Sequence, residues 1–272
     1  MYRGKTVSII FPVYNEEQNI RPAIEEFLAE PFVDEVIAVD NNSKDRSAEE
    51  IKKTKARYVH ETAQGYGAAL QRGMREAHGD LIVTVEPDGT FMAADLEKLL
   101  IYSENFDVVF GTRTSRALIW SGANMRFGIR LGNWAVAKFL EYLFNGPSLT
   151  DVGCTYKLLH RRAYEKIRDE LTVNRSHFSP ELMLRVLHNG NLKAVEIPVH
   201  YRERIGESKI TGKTGKAIKL GIRMILFIAR ERLKYWFAPA DAASRQPGAS
   251  ARPSASMANE DTVKRAPGVP EG

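Results

Sequence analysis

The stretch LIVTVEPDGTF, residues 81–91, decides how this chain is read. Leu81 to Val85 is a short apolar run rich in β-branched residues, which predicts a buried strand. It breaks off at Glu86-Pro87-Asp88-Gly89. Pro-Asp-Gly is strong turn chemistry: Pro presets φ, Asp bonds to nearby backbone, and Gly accepts a positive φ. A turn at the carboxyl end of a strand also presents its side chains to whatever binds there. Two carboxylates in that place are either turn residues or the holders of a hard cation. Mg²⁺ or Mn²⁺ takes one or two carboxylates together with substrate phosphates.

Around this stretch strand and helix patterns alternate. Residues 6–14, 34–43, 56–61 and 107–113 read as further strands, and 16–30, 44–54, 65–79 and 93–104 as the helices between them. Short strands alternating with helices predict βαβ units and a mostly parallel sheet. Ligands of such sheets bind outside the carboxyl ends of the strands. The polar clusters PVYNE, DNNSKD, EPDG and GTRTS all fall there, so one edge of the sheet collects the chemistry. Beyond Thr114 the pattern predicts a long amphipathic helix over 126–144, then a loop, short strand and helix over 150–167. A helix over 179–190 has Ser179 as its cap and Gly190 as its stop, and a strand follows over 192–204.

Four stretches, VSIIFPVYNEEQNI, VIAVDNNSKDRSAE, GYGAALQRGMREAHGDLIVTVEPDGT and VVFGTR, together resemble the family 2 glycosyltransferases of GT-A fold. The chain is most similar to dolichyl-phosphate mannose synthases and related polyprenyl-phosphate glycosyltransferases. TDVGCTYKLL and VEIPVHYRERIGESKI extend the resemblance over residues 5–235. It implies a nucleotide-sugar donor and a divalent metal, Mg²⁺ or Mn²⁺. Pro12, Tyr14 and Glu16 would shape the nucleotide pocket, although Tyr14 also suits core packing. Asp40 would bind the base or ribose, or else cap a helix. Gly65 and Gly67 would let backbone approach the nucleotide at a helix start. The family's metal motif is usually Asp-x-Asp; here it is Glu86-Pro87-Asp88, with Asp88 the better ligand and Glu86 one methylene longer.

TDVGCTYK stands where polyprenyl-phosphate transferases often carry Thr-Asp-x-x-Ser-Gly-Phe-Arg. Asp151 matches, while Cys154, Thr155, Tyr156 and Lys157 replace the last four residues. The resemblance places Asp151 near the acceptor; a plain loop carboxylate is the alternative. Arg113 matches an arginine used near an acceptor phosphate. Arg126 and Arg130 lie one helical turn apart, as a second phosphate contact or a solvated basic face. Ser208 and Lys209 fall in a G-x-SK pattern that closes over substrate, or in a solvated loop. A P-loop is excluded, because five residues separate Gly206 from Gly212 where that motif needs four.

The chemistry implied is inverting transfer, in which a nucleophile attacks the anomeric carbon as the nucleotide diphosphate leaves. A lipid phosphate is already anionic near neutrality and needs no general base. A hydroxyl acceptor would need one, and Asp151 is then the candidate. The expected function is sugar transfer from a UDP- or GDP-linked donor to polyprenyl phosphate. The alternatives are transfer to a hydroxyl, a nucleotidyltransferase, and a non-catalytic nucleotide-sugar binding module.

Bulk properties agree with an ordinary soluble globular protein: 272 residues, 43% hydrophobic, 27% charged, net charge +5. The basic balance suits phosphate-bearing partners, and no nucleic-acid motif is present. Cys154 is the single cysteine, which excludes an intrachain disulfide and a cysteine zinc cage. With no signal-peptide pattern and no run near the roughly 20 apolar residues of a membrane span, the expected place is the cytoplasm, with peripheral contact on the membrane's cytoplasmic face. Residues 1–238 are expected to form the catalytic domain, ending in a basic amphipathic helix at about 214–237. In that helix Lys216, Lys219, Arg223, Arg230 and Lys234 share one arc, broadly opposite Ile218, Ile222, Ile225, Ala229 and Trp236. Its apolar side either packs on the core, leaving a wet basic stripe, or the helix lies on anionic lipid. Residues 239–272, rich in Pro, Ala, Ser and Gly, are expected to be a disordered tail.

Overall fold

The computed structural model describes residues 1–120, 127–204 and 214–237. Arg126, Ser208, Lys209 and the 239–272 tail lie outside the described residues. Seven strands form one sheet, in the order β3-β2-β1-β4-β6-β5-β7. They are β1 (Val7–Val13), β2 (Glu35–Asp40), β3 (Arg57–His60), β4 (Leu81–Thr84), β5 (Val108–Thr112), β6 (Lys157–His160) and β7 (Ala194–Pro198). The intervening helices are α1 (Ile20–Leu28), α2 (Ser47–Lys52), α3 (Tyr66–Glu76), α4 (Leu96–Tyr102), α5 (Phe127–Phe144), α6 (Arg161–Ile167) and α7 (Phe178–His188), with α8 (Thr214–Trp236) last.

Alternate residues of the buried strands feed two cores, one on each face. Ile10, Ile37 and Val39 pack beneath α3, α5 and α7. Ile9, Phe11, Val36 and Ala38 face α1 and α4 on the other side. All pairings are parallel except those of β6, which runs antiparallel to both β4 and β5, with Lys157 opposite Thr84 and Phe110. This reversal positions the site. The start of β6, and therefore the loop 150–156 before it, arrives at the edge where β4 and β5 end.

Two helix expectations change. α7 starts at Phe178 after His177, with no side-chain cap. Ser179 lies inside the helix, donating to Val152 O at 2.5 Å and accepting from Lys157 Nζ at 2.8 Å. It therefore ties the 150–156 loop to α7 instead of capping. The helix stops at His188, just before Gly190.

In α8 the core face is Met224, Phe227 and Ile228, with Glu231 buried beside them and ion-paired to Arg185 at 3.0 Å. Ile218, Ile222, Ile225, Leu226, Leu233 and Trp236 are exposed. The apolar arc opposite the basic stripe thus points outward rather than onto the core. Lys219, Arg223, Arg230 and Lys234 are also exposed and flank it; the Lys216 side chain lies outside the described residues.

Candidate active site

A cavity of about 350 Å³ opens at the carboxyl ends of β1, β2, β4 and β5. Pro12, Tyr14, Glu16, Glu86, Asp88 and Arg113 all line it. Its other wall comes from α5 and α8, through Ile129, Asn133, Leu220 and Met224. One end is therefore charged and the other largely apolar.

The charged end is built from two turns. At the β1 end Asn15 takes a positive φ of 53°, which turns Glu16 back towards the sheet edge. The Glu16 N–H donates to Ser47 Oγ at 2.8 Å, fixing this turn against the start of α2. At the β4 end Asp88 is 1% exposed and its Oδ1 accepts from Thr90 N–H at 3.1 Å and Thr90 Oγ1 at 2.5 Å. That is the turn chemistry expected of Pro-Asp-Gly. Its Oδ2 is buried and has no hydrogen-bond partner. Arg204 Nη1 lies 3.0 Å from it, close enough for ion pairing but not aimed as a hydrogen bond. The same guanidinium reaches Glu16 Oε1 at 3.2 Å, so Arg204 bridges the two turns.

Glu86 accepts from Thr155 Oγ1 at 2.8 Å. Burial, reinforced by the Asp88 charge, pushes its pKa up to about 7 despite the Thr155 bond and the nearby arginines. Of these two close carboxylates, one has an oxygen without a hydrogen bond and the other is reluctant to ionise, even with Arg113 and Arg204 at the cavity. No group of three His, Cys, Asp or Glu that could hold a metal ion gathers among the described residues. A carboxylate pair suits Mg²⁺ or Mn²⁺ sharing its remaining positions with phosphate oxygens and water, and Asp88 Oδ2, buried without a hydrogen bond, fits that role.

Asp151 is placed differently from the base or acceptor contact considered from sequence. It is fully buried, does not line the cavity, and is fully engaged. Arg113 donates Nε to its Oδ2 at 2.8 Å and Nη2 to its Oδ1 at 3.0 Å, and the Arg113 and Gly153 N–H groups add to these. Burial alone would raise the Asp151 pKa; Arg113 and the backbone donors outweigh it and hold the carboxyl below its usual value. Burial likewise opposes the charge on Arg113, and Asp151 more than restores it. Asp151 is the anchor of Arg113, whose guanidinium then lines the cavity 5.2 Å from the Tyr201 ring centroid. Glu196 holds the loop from below, accepting from the N–H groups of Thr150 at 2.7 Å and Asp151 at 3.1 Å.

Other expected residues sit beside the cavity without lining it. Asp40 is 4% exposed and accepts from Ser43 N–H at 3.1 Å and Tyr58 Oη at 3.3 Å, so it closes its own turn. Its neighbour Asn41 lines the cavity and accepts from Gly65 N–H at 2.7 Å. Gly65 and Gly67 are required by packing: a Cβ on either would lie 2.0 Å from Asn174 O or 2.1 Å from Val173 O. The Ala68 N–H is taken by Asn174 O at 3.1 Å. Arg130 is half-buried on α5, and Ile129 and Asn133 reach the cavity in its place. Sequence reading missed Arg204, Tyr66 and Asn41. An acidic cluster's need for a counter-charge was the one available signal for Arg204.

A seven-stranded, mostly parallel sheet flanked by helices, with carboxylates at its strand ends, agrees with the GT-A fold. The chain belongs to glycosyl transferase family 2, whose family model matches residues 8–168 of the 272. It is 30% identical over 237 residues to the dolichyl-phosphate hexose transferase of Haloferax volcanii, covering 86% of this chain and 98% of that one. It is also 30% identical to the undecaprenyl-phosphate 4-deoxy-4-formamido-L-arabinose transferase of Pseudomonas fluorescens, over 75% of this chain and 59% of that one. Among solved structures, glucosyl-3-phosphoglycerate synthase from Mycobacterium tuberculosis, bound to Mn²⁺, UDP and glucosyl-3-phosphoglycerate, shares the fold. Its TM-score is 0.63 at 18% identity, over 83% of this chain and 80% of that one.

Proposed function

We propose that residues 1–238 form one catalytic unit. It moves a hexose-type sugar from a UDP- or GDP-linked donor to polyprenyl phosphate, with inversion, at the cytoplasmic face of the membrane. The observation that carries the choice of acceptor is the Arg113–Asp151 pair. A hydroxyl acceptor needs a base, and the only candidate named from sequence is buried, fully bonded and held ionised by an arginine. A phosphate acceptor needs no base and benefits from a fixed cation, which Arg113 supplies at the cavity wall. The names of the relatives point the same way.

Asp88, with Glu86 beside it, would hold a Mg²⁺ or Mn²⁺ ion, which stabilises negative charge on a departing diphosphate. Pro12 and Tyr14 form the wall that receives the nucleotide. Arg204, bridging Glu16 and Asp88, keeps the two turns at a fixed spacing. The apolar wall of Ile129, Leu220 and Met224 suits the first isoprene units of the acceptor and excludes water from the sugar.

Membrane contact follows from the outer face of α8. No helix among the described residues is long and apolar enough to cross a membrane. Ile218, Ile222, Leu226 and Trp236 nevertheless lie exposed beside Lys219 and Arg223, a pattern suited to the headgroup region of anionic lipid. Each basic residue near such a surface contributes about 1 kcal/mol. Lys219→Glu with Arg223→Glu should therefore weaken co-sedimentation with phosphatidylglycerol vesicles at least about tenfold. Undiminished co-sedimentation would remove α8 from the membrane.

The function is tested by incubating the protein with UDP- and GDP-sugars, Mn²⁺ or Mg²⁺, and polyprenyl phosphate. Nucleoside diphosphate release that depends on the lipid is expected. Release with a hydroxyl acceptor instead, pyrophosphate formation from a sugar phosphate and nucleoside triphosphate, or binding without turnover would each replace this reading with its rival.

A further inference from the structure

Thr155 lies in the loop before β6 and is 2% exposed. Its Oγ1 donates to Glu86 Oε1 at 2.8 Å and lies 2.6 Å from Tyr66 Oη. A hydroxyl has one proton to give. With Glu86 ionised, the Thr155 proton goes to the carboxylate, so the Tyr66 hydroxyl must donate to Thr155. The result is a one-directional chain from Tyr66 through Thr155 to Glu86. Tyr66 and Thr155 are both held in place. Tyr66 opens α3, whose start is wedged against Val173 and Asn174 through Gly65 and Gly67. Thr155 is fixed by its own carbonyl, which accepts from Thr84 Oγ1 at 2.7 Å on β4. Glu86 Oε1 is thereby committed to the protein, and Oε2 is the oxygen left for a ligand.

Two departures from the family pattern meet in this chain. Glu86 stands where that pattern has the first Asp of Asp-x-Asp, and Thr155 stands where it has Gly. We infer that these are a single exchange: Thr155 is a positioning residue that steers the longer Glu86 carboxylate into the place a shorter Asp would occupy. A Gly at 155 offers no hydroxyl, and an Asp at 86 is one methylene shorter on the side Thr155 serves. The inference rests on the reading of Glu86 and Asp88 as a divalent-ion site, and its test separates the two.

Mn²⁺ binding in the presence of UDP, and separately GDP, is measured from the electron paramagnetic resonance signal of free Mn²⁺, alongside thermal melting. Groups that orient a metal ligand typically change affinity by about 10–100-fold when lost. Thr155→Val should weaken Mn²⁺ binding about tenfold, and Thr155→Ser should restore it to within about threefold of the parent. Glu86→Asp and Thr155→Gly should each weaken binding. The double variant Glu86→Asp/Thr155→Gly should bind better than the product of the two single losses predicts, because residues in contact are coupled. A parent-like Thr155→Val, or a double variant that loses that full product, overturns the inference. If Asp88→Ala binds Mn²⁺ as the parent does, the divalent-ion site falls first and the inference with it. Should Thr155→Val fail to fold, the Thr155→Ser and double variants still decide, since a purely structural role predicts no rescue of Mn²⁺ affinity.

Discussion

Two buried carboxylate sites lie at the same sheet edge and differ in one respect. At the start of β6, Asp151 has a bidentate arginine and two backbone donors, and its pKa is depressed. At the end of β4, Asp88 has one oxygen with no hydrogen bond and Glu86 is pushed up to about 7. Buried polar groups are satisfied as a rule, so an exception needs an explanation. The satisfied carboxylate does structural work: it fixes Arg113. Asp88 keeps one oxygen free of hydrogen bonds beside Arg204, which leaves a place for the divalent ion proposed above. The contrast separates an anchor from a candidate ligand site; from sequence, Asp88 read as a metal ligand and Asp151 as an acceptor-side residue or base, and nothing there marked Asp151 as an anchor.

The largest expected effect is on turnover at the unsatisfied pair. Asp88→Ala should lower kcat by about 10³-fold or more, the scale at which loss of transition-state charge stabilisation is felt. Its stability should change by no more than about 1 kcal/mol, because Arg204 keeps its pair with Glu16 and relief of repulsion on Glu86 offsets the lost Thr90 bonds. Steady-state kinetics with urea unfolding measures both, and retained turnover would reduce Asp88 to a turn residue. Asp151→Ala should do the opposite in the unfolding experiment. Removing one partner of a buried ion pair strands the other, so about 3–5 kcal/mol should be lost. A well-folded, stable Asp151→Ala protein would break the distinction.

The strand-end turns were legible because they are local. Alternating strands and helices follow from runs of apolar residues, and the turn at Glu86-Pro87-Asp88-Gly89 follows from Pro and Gly. What joins distant residues was not legible. The direction of β6 depends on its neighbours, and four residues, Lys157–His160, carry no signal for it. The Arg113–Asp151 pair spans 38 positions and the Arg204–Asp88 contact is longer still. Both follow from that reversal and from where β7 ends. The glycines at 65 and 67 were recognised as close-approach positions, but the approaching group is the 173–174 backbone. In α8 the basic and apolar arcs read from sequence are both exposed and adjoin each other, and Met224, Phe227 and Ile228 form the inward face. Which arc faces inward was decided by Glu231 and its buried partner Arg185, a pairing no helical wheel contains.

The smallest effect tests the contrast through pH. Glu86 has a folded pKa of about 7 against 4.5 unfolded, so in the ligand-free protein its proton is bound more tightly when folded. Stability from this group is full below the unfolded value and is lost as pH rises through the folded one. Between pH 6 and 8, in EDTA, the loss should be about 1 kcal/mol. Asp151 has the opposite sign. Its depressed pKa contributes stability above the unfolded value of 3.8 and loses it only in acid, so it is silent between pH 6 and 8. His160, His177 and His188, whose burial lowers their pKa values, add a slope of their own. They are common to the parent and Glu86→Gln, so the difference between the two isolates Glu86. Urea midpoints should show the parent losing ground to Glu86→Gln as pH rises from 6 to 8. Parallel curves would mean that Glu86 is as well satisfied as Asp151, and the two sites would no longer differ in kind.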